Sequence, residues 1–303
     1  VAEIADTVPI DTPQTAEENH DDRFQSTGLI VEQDYHESGH DSLLLVDHHE
    51  SAQMVPETPG TIPTQLTPTS GEYKPDHRSS GFSNVGHLRQ ENQDAILIHK
   101  AGSLWVVADG MGGHSDGDRA SQAIVAQLGS LQLQGDLFAN IEQVKAMLFN
   151  VNQEIFDYAN AQHTTCGSTV VALIRNQNQC AFLWAGDSRL YLLREQQLSQ
   201  LTSDHSVENS LGIDDADANR PKNHAITRAV GVFEELDIEC GFHQLEPGDR
   251  FLLCSDGLYG PLDKQQLQQG LACNTPEQAA DLHEKLVLSG EARDNLSGVF
   301  IWF

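Results

Sequence analysis

The chain has 303 residues, and its 45 acidic side chains against 17 Lys and Arg give a formal net charge of −28. This balance argues against binding to nucleic acid, whose phosphates need Lys and Arg to displace counterions, and against anionic membrane surfaces. The five cysteines are an odd number without a C-x-x-C spacing. We therefore expect no disulfide framework and no zinc site, and a reducing compartment fits best.

Residues 1–78 differ in composition from the rest of the chain. They are rich in Thr, Pro, Asp, Glu and His, and only two short apolar runs, at 29–31 and 43–46, interrupt them. A segment that buries so little apolar surface does not offset its ordering entropy, so we expect a disordered acidic tail and linker here. Two roles are open for it: recruitment of a partner, or a passive spacer.

No apolar run approaches the roughly 20 residues that a membrane helix needs. The beginning of the chain also lacks the basic and then apolar pattern of a signal peptide. We therefore expect a cytoplasmic, monomeric protein without membrane association.

Residues 79–303 have the sequence pattern of one folded domain, with short apolar runs that end at Gly, Asp or Asn. Such runs predict buried strands. Seven are predicted, at 95–99, 104–108, 169–174, 180–185, 190–193, 250–254 and 299–303.

Helices are predicted in two pairs. Apolar residues at helical spacing indicate helices over 119–133 and 141–161, and a shorter one over 264–271. Thr275 and Pro276 are an N-cap and an N1 proline for a last helix that ends at 288. Runs of strands with paired helices, rather than regular alternation, favour an α+β layered sandwich of antiparallel sheets covered by helices.

One local pattern occurs three times: an apolar strand runs into small residues and delivers an aspartate at its end. These aspartates are Asp109, Asp187 and Asp256. A single Asp-Gly is an ordinary turn signal, but three copies indicate a shared site. Asp94 and Asp294 each stand just before a predicted strand. If all five converge, their mutual repulsion requires divalent cations.

The chemistry of such a cluster points to phosphate esters. Oxygen ligands without His or Cys select Mg²⁺ or Mn²⁺. Two ions bridged by one aspartate would lower the pKa of a shared water and aim it at phosphorus. An arginine could hold the phosphate through its planar fork, and Arg89 is the natural candidate.

Eight motifs, in this order along the chain, carry a resemblance to a known family. They are Gly86-x-x-Arg89-x-x-Asn92-Gln93-Asp94, Ala108-Asp109-Gly110-Met111-Gly112-Gly113-His114, Gly167-Ser168-Thr169, Ala185-Gly186-Asp187-Ser188-Arg189, Leu201-Thr202-x-Asp204-His205-Ser206, Ile226-Thr227-Arg228-Ala229-Val230-Gly231, Cys254-Ser255-Asp256-Gly257-Leu258 and Arg293-Asp294-Asn295. The set resembles the metal-dependent type 2C (PPM-type) protein serine/threonine phosphatases. Its Asp-Gly-Met-Gly-Gly-His segment resembles the form of this motif in the bacterial branch of the family.

The resemblance implies a four-layer α/β/β/α sandwich, with a dinuclear metal site at one end between the sheets. It implies hydrolysis of phosphoserine and phosphothreonine by in-line attack of a metal-activated water. The expected partners are phosphorylated proteins, including a Ser/Thr kinase and its substrates. A pseudophosphatase that binds phosphoproteins without turnover is the alternative, and a magnesium-binding regulatory module would leave Arg89 unexplained.

The resemblance also implies roles for single residues in binding two tightly held Mg²⁺ or Mn²⁺ ions. Asp109 would bridge them, Asp94 would act largely through bound water, and the Gly110 carbonyl would be a direct ligand. Asp256 and Asp294 would complete the second ion.

Asp187 would belong to a third, weaker ion, Arg89 would hold the substrate phosphate, and residues 206–223 would form a mobile flap beside the site. Eukaryotic relatives carry a His after the Asp-Gly pair as proton donor, but Met111 stands there in this chain. His114 and a metal-bound water stay open as donors.

Three further side chains are predicted to be structural. His205 is expected to hold the turn that leads into the flap. Arg189 and Arg228 are expected to pair with carboxylates rather than with phosphate. No Gly-x-Ser-x-Gly elbow accompanies the serines, so a nucleophilic serine is not expected.

Overall fold

The computed structural model describes residues 77–99, 101, 103–112, 116–210 and 225–303. Within these residues the strands are β1 (Arg78–Asn84), β2 (Asp94–Ile98), β3 (Leu104–Gly112), β4 (Cys166–Ser168), β5 (Val170–Asn176), β6 (Gln179–Ala185), β7 (Arg189–Arg194), β8 (Gln197–Gln200), β9 (Glu239–Gln244), β10 (Arg250–Cys254) and β11 (Leu296–Trp302). The helices are α1 (Gly117–Gly129), α2 (Leu137–Gln162), α3 (Val207–Ser210), α4 (Asp256–Tyr259), α5 (Lys264–Leu271) and α6 (Pro276–Leu288).

Three predictions fall wholly or mostly outside the described residues. They concern the tail over 1–78, His114, and the greater part of the flap over 206–223.

Two antiparallel sheets form the centre of the fold. The first sheet has the order β1-β11-β10-β7-β8, and the second has the order β2-β3-β5-β6-β9 with β4 paired to β3. Every strand pair in both sheets is antiparallel. The predicted antiparallel arrangement is therefore confirmed.

Alternate residues of β3 show how the layers are separated. Leu104 and Val106 pack in the cluster that contains the buried faces of α1 and α2. Trp105 and Val107 point the other way, into a cluster shared with the first sheet. On the far side of the first sheet a third cluster contains the apolar faces of α5 and α6. The predicted four-layer α/β/β/α sandwich is confirmed.

The predicted elements are all present, most of them with shifted ends. The helix over 264–271 has the predicted bounds, and Thr275 caps α6 by accepting a hydrogen bond from the amide of Gln278 at 3.2 Å. The helix predicted over 119–133 ends earlier, at Gly129. Leu131 and Leu133 continue the apolar spacing and still pack on the core, although the chain has left the helix.

The sequence does not predict four of the strands: β1, β4, β8 and β9. Three of them lie at sheet edges, where a strand buries less surface and so carries more polar residues. β4 has only three residues. Among the helices of the described residues, none combines the length and the apolar character needed to cross a membrane.

Candidate active site

Asp94 and Asp109 face each other across the strand pair β2 and β3. Asp94 begins β2, Asp109 lies near the end of β3, and the register places them directly opposite one another. Residues in this relation bring their β-carbons to about 5 Å of each other. The Gly110 amide also donates to the Gln93 carbonyl at 3.0 Å. The two strands therefore hold two carboxylates side by side at one end of the second sheet.

Asp256 and Asp294 lie at the same end of the first sheet. Asp256 begins α4 directly after β10, and Asp294 stands two residues before β11. β10 and β11 are neighbours, with Cys254 opposite Gly298. Because β10 ends beside the start of β11, both aspartates lie at the same end of the first sheet.

Ser255 links this end of the first sheet to the second sheet. Its hydroxyl donates to Oδ2 of Asp94 at 2.8 Å and accepts from the Ser297 amide at 3.0 Å. Ser255 is fully buried, as is Ser297. The ends of the two sheets are thus fastened together at the carboxylates, and sequence analysis gave Ser255 no such role.

Asp187 reaches the same region from the end of β6. It is 6% exposed, and its backbone carbonyl accepts from the Tyr259 hydroxyl at 3.1 Å. The neighbouring Ser188 hydroxyl lies 2.7 Å from that of Thr169, which in turn accepts from the Asp109 amide at 3.1 Å. These contacts tie the Asp187 turn to the strand that carries Asp109.

The pKa shifts of three of the aspartates show that the carboxylates lie close enough to affect one another. Burial raises the pKa of Asp109 well above its usual range, and the charges of the other four aspartates raise it further. Burial also raises the pKa of Asp94 to about 6, and burial together with the charge of Asp256 raises the pKa of Asp187 to about 7. The structure therefore brings together the five carboxylates that the sequence singled out: Asp94, Asp109, Asp187, Asp256 and Asp294.

The residues at this end of the sandwich fit a hard divalent cation. Oδ1 of Asp94 is buried and has no hydrogen-bond partner, which is costly for a carboxylate oxygen unless a cation compensates. The donors are all oxygens, as Mg²⁺ and Mn²⁺ prefer. No three of the described His, Cys, Asp and Glu side chains already stand at the spacing of a bound ion.

Arg89 forms a two-point ion pair with Asp294. Its Nε lies 2.8 Å from Oδ1 of Asp294 and its Nη2 lies 2.9 Å from Oδ2. The side chains are 54% and 40% exposed. The pKa of Arg89 is raised, first by this hydrogen bond and then by the charge of Asp294. The predicted phosphate-binding arginine therefore lies at the carboxylate cluster, paired with one of its members.

Asn295 holds the segment that carries Arg89, although the sequence analysis assigned it no role. Its Nδ2 donates to the carbonyls of Val85 and Glu91 at 2.9 and 3.0 Å, and its Oδ1 accepts from the Gln93 amide at 2.9 Å. Asn295 is buried. A buried amide that spans three backbone groups fixes the Arg89 loop against the loop that carries Asp294.

Two glycines permit close backbone approach in the site. A β-carbon on Gly257 would lie 1.9 Å from the Asn295 carbonyl oxygen. One on Gly110 would lie 2.0 Å from the Gly117 carbonyl oxygen and 2.6 Å from that of Gln93. Any larger residue at these positions would push the aspartate-bearing segments apart.

The residues predicted to be structural have structural contacts. His205 stacks on Trp184 with ring centroids 5.9 Å apart, and its Nδ1 accepts from the Gly186 amide at 3.2 Å. Arg189 pairs with Asp204 at 2.7 Å, and Arg228 with Glu239 at 2.8 Å. The predicted carboxylate pairing of Arg189 and Arg228 is confirmed, whereas the role of His205 at the turn into the flap stays a prediction.

Met111 stands on β3 opposite Gly167. A thioether cannot donate a proton.

Comparison with known proteins agrees with this architecture. The sequence pattern of the family described as protein phosphatase 2C matches residues 86–291. The serine/threonine phosphatase stp of Listeria monocytogenes is 32% identical over 231 residues, which cover 71% of this chain and 92% of the relative.

Among solved structures, PppA, a key regulatory component of the T6SS in Pseudomonas aeruginosa, has a TM-score of 0.71 and 38% identity, covering 75% of this chain and 97% of that one. The catalytic domain of the phosphatase PstP, solved in complex with two manganese ions, has a TM-score of 0.66 and 29% identity, covering 74% and 97%.

A layered sandwich with an acidic cluster at one end of its two sheets, in a chain related to these enzymes over most of their length, defines a phosphoprotein phosphatase. The chain belongs to the protein phosphatase 2C family, and to its bacterial PPM-type members.

Proposed function

We propose that this phosphatase hydrolyses phosphoserine and phosphothreonine in proteins with the help of two Mg²⁺ or Mn²⁺ ions held at the carboxylate cluster. The observation that carries the proposal is the Asp94–Asp109 pair, which is opposed in register and leaves one buried Asp94 oxygen without a hydrogen bond. Three further aspartates lie near enough to raise the pKa of Asp109. When bound, the ions would lower the pKa of a shared water and polarise the phosphoryl group.

Each aspartate has its own task in this proposal. Asp109, whose pKa is raised by the charges of the other four aspartates, would hold both ions, with the Gly110 carbonyl as a further ligand. Asp94 would act largely through water. Asp256 and Asp294 would hold the second ion. Asp187 would serve a third and weaker ion.

Arg89 orients the phosphoryl group for in-line attack. Its guanidinium is half-exposed at the rim of the cluster, and its planar fork matches two phosphate oxygens as well as it matches a carboxylate. The Asn295 network keeps the backbone of this arginine in place while the substrate exchanges.

Hydrolysis of a phosphothreonine peptide tests the proposal directly. The full chain should be active with Mn²⁺ or Mg²⁺ and inactive with EDTA, and Asp109→Asn should reduce kcat/KM by roughly 100-fold or more. Asp157→Asn is the matched control, because Asp157 lies on the exposed face of α2 and accepts a hydrogen bond from Gln153 of the same helix. Activity at the wild-type level in Asp109→Asn would refute the bridging role.

The pseudophosphatase alternative is separated by the same assay. A chain that binds Mn²⁺ and phosphopeptide but shows no turnover would be a binding module. Asp94, Asp109, Asp256 and Asp294 are all present, which favours the enzyme.

We also propose that residues 79–303 form the catalytic domain, that the protein is a cytoplasmic monomer, and that it opposes a bacterial Ser/Thr kinase. The proposed boundary falls one residue inside β1, which begins at Arg78. A chain that starts at His77 should therefore keep phosphatase activity with Mn²⁺ and elute as a monomer. A phosphoproteome compared with and without the active enzyme would identify the substrates.

A further inference from the structure

Two groups that the proposed mechanism uses separately are bound to each other. Arg89, the phosphate-binding arginine, donates from Nε and Nη2 to the two oxygens of Asp294, a metal ligand, at 2.8 and 2.9 Å. Both distances are those of a charge-assisted, fork-to-fork pair, which is the strongest geometry available to these two side chains.

The pair leaves little of Asp294 for another cation. Oδ2 accepts from Arg89, and Oδ1 accepts both from Arg89 and from the backbone amide of Asn295 at 2.8 Å. A divalent ion bound through Asp294 needs one of these oxygens at roughly 2.1 Å. The ion and the guanidinium carry charge of the same sign, so they compete for this carboxylate.

The guanidinium is also stabilised by the rest of the cluster. Asp294 raises the pKa of Arg89 most, and the charges of Asp109 and Asp256 add to the effect. Arg89 therefore neutralises part of the charge that divalent cations at this cluster would also neutralise.

The Arg89 side chain is free to turn while its loop stays fixed. The guanidinium end is half-exposed, whereas the loop backbone is pinned by the His87 amide, which donates to the Ala292 carbonyl at 2.8 Å, and by the bonds from Asn295. Rotation about side-chain bonds alone can move the fork from the carboxylate to a phosphoryl group beside it.

We propose that Arg89 is the internal counter-ion of Asp294, so that loading of the metal site releases the arginine that binds substrate phosphate. This inference rests on the proposed function. Metal binding at Asp294 frees the fork, and a phosphate that holds the fork in turn favours metal at Asp294. Such coupling is reciprocal by thermodynamic necessity.

Calorimetric titration of Mn²⁺ into the metal-free full chain tests the coupling without reference to turnover. Arg89→Gln removes charge and fork together, whereas Arg89→Lys keeps the charge and loses the fork. Arg293→Gln is the matched control, because Arg293 adjoins Asp294 in sequence but pairs with Glu291. Thermal unfolding of each metal-free variant checks that it is folded.

The proposal expects the Mn²⁺ site that includes Asp294 to tighten by roughly five- to tenfold in Arg89→Gln. Arg89→Lys should fall between Arg89→Gln and wild type, and Arg293→Gln should match wild type. Inorganic phosphate should bind the Mn²⁺-loaded wild type more tightly than the metal-free protein, and the gain should be smaller in Arg89→Gln, where only the direct attraction of the ions for phosphate remains.

Two results would overturn the coupling. One is equal Mn²⁺ affinity in Arg89→Gln and wild type, and the other is equal affinity in Arg89→Lys and wild type, since charge repulsion alone would then explain the data. Failure of the proposed function looks different, because wild type itself would then bind no Mn²⁺ or leave the phosphopeptide intact.

Discussion

The hydroxyl of Ser255, next to the first sheet, donates to Oδ2 of Asp94, the first residue of β2 in the second sheet, at 2.8 Å. The same hydroxyl accepts from the Ser297 amide, so one buried atom joins the ends of both sheets. Because Asp94 has its other oxygen unpaired, this hydrogen bond decides where that oxygen lies. The geometry of the proposed metal site thus depends on a side chain outside the proposed set of ligands.

Replacing Ser255 by Ala is therefore expected to harm both metal binding and folding. Loss of an outer hydrogen bond to a ligand should weaken Mn²⁺ binding by roughly tenfold. The buried Ser297 amide would lose its acceptor, at a cost of about 1–3 kcal/mol in the free energy of unfolding. Calorimetry and urea unfolding measure the two effects.

Ser289→Ala is the control for this prediction. The Ser289 side chain is exposed, and its hydroxyl donates to the Leu286 carbonyl of α6 itself rather than to the carboxylate cluster. If Ser255→Ala and Ser289→Ala bind Mn²⁺ equally well, Ser255 does not position Asp94.

The sequence allows prediction of which aspartates matter but not of how they are held. Asp109, Asp187 and Asp256 are visible because each ends an apolar run, and that signal is local. The contacts of Ser255 and Asn295 join segments 161 to 210 residues apart in sequence. They form only once the two sheets are stacked, so no local sequence pattern predicts them.

The edge strands show that the fold, like the site, can be predicted only in part from local sequence patterns. β8 reads Gln-Leu-Ser-Gln, and only Leu198 in it is buried. Hydrogen bonds to β7, rather than an apolar pattern, make it a strand. The central strands are recognisable because both of their faces are covered.

Gly257→Ala is expected to open the site. Its β-carbon would overlap the Asn295 carbonyl, which is backbone and cannot turn aside. We expect a loss of about 2–3 kcal/mol in the free energy of unfolding, as for other overpacked positions, and weaker Mn²⁺ binding. Urea unfolding with and without Mn²⁺ measures both.

The control is Gly129→Ala at the end of α1, where the nearest atom is a Leu97 methyl carbon at 3.4 Å. Alanine is the better helix former, so this variant should keep or gain stability. Equal Mn²⁺ affinity in the two glycine variants would contradict the close-approach argument.

Arg89→Ala should chiefly raise KM for a phosphothreonine peptide, because the fork contacts the phosphoryl group before reaction as well as during it. A rise of roughly tenfold is expected from loss of a charge-assisted hydrogen bond. Steady-state kinetics in saturating Mn²⁺ measures it, with Arg293→Ala as the charge-matched control. An unchanged KM in Arg89→Ala would remove this residue from ground-state phosphate binding.

Asp187→Asn should change how the stability of the metal-free protein depends on pH. Burial and the charge of Asp256 raise the pKa of Asp187 to about 7 in the folded state, against roughly 3.9 in an unfolded chain. Between these values the folded state binds more protons than the unfolded state. This group therefore stabilises the metal-free fold less and less as pH rises through 7.

The asparagine variant lacks this charge and should escape the penalty. In EDTA at pH 8 we expect Asp187→Asn to be more stable than wild type by about 1–2 kcal/mol, and the difference should shrink towards pH 5. Urea unfolding at pH 5, 6.5 and 8 measures it, with exposed Asp157→Asn as a control that should show no such trend. A stability difference that is independent of pH, or a variant weaker than wild type at pH 8, would show that Asp187 is not held charged against its surroundings. Since a bound cation would remove the same penalty, saturating Mn²⁺ should abolish the advantage of the variant.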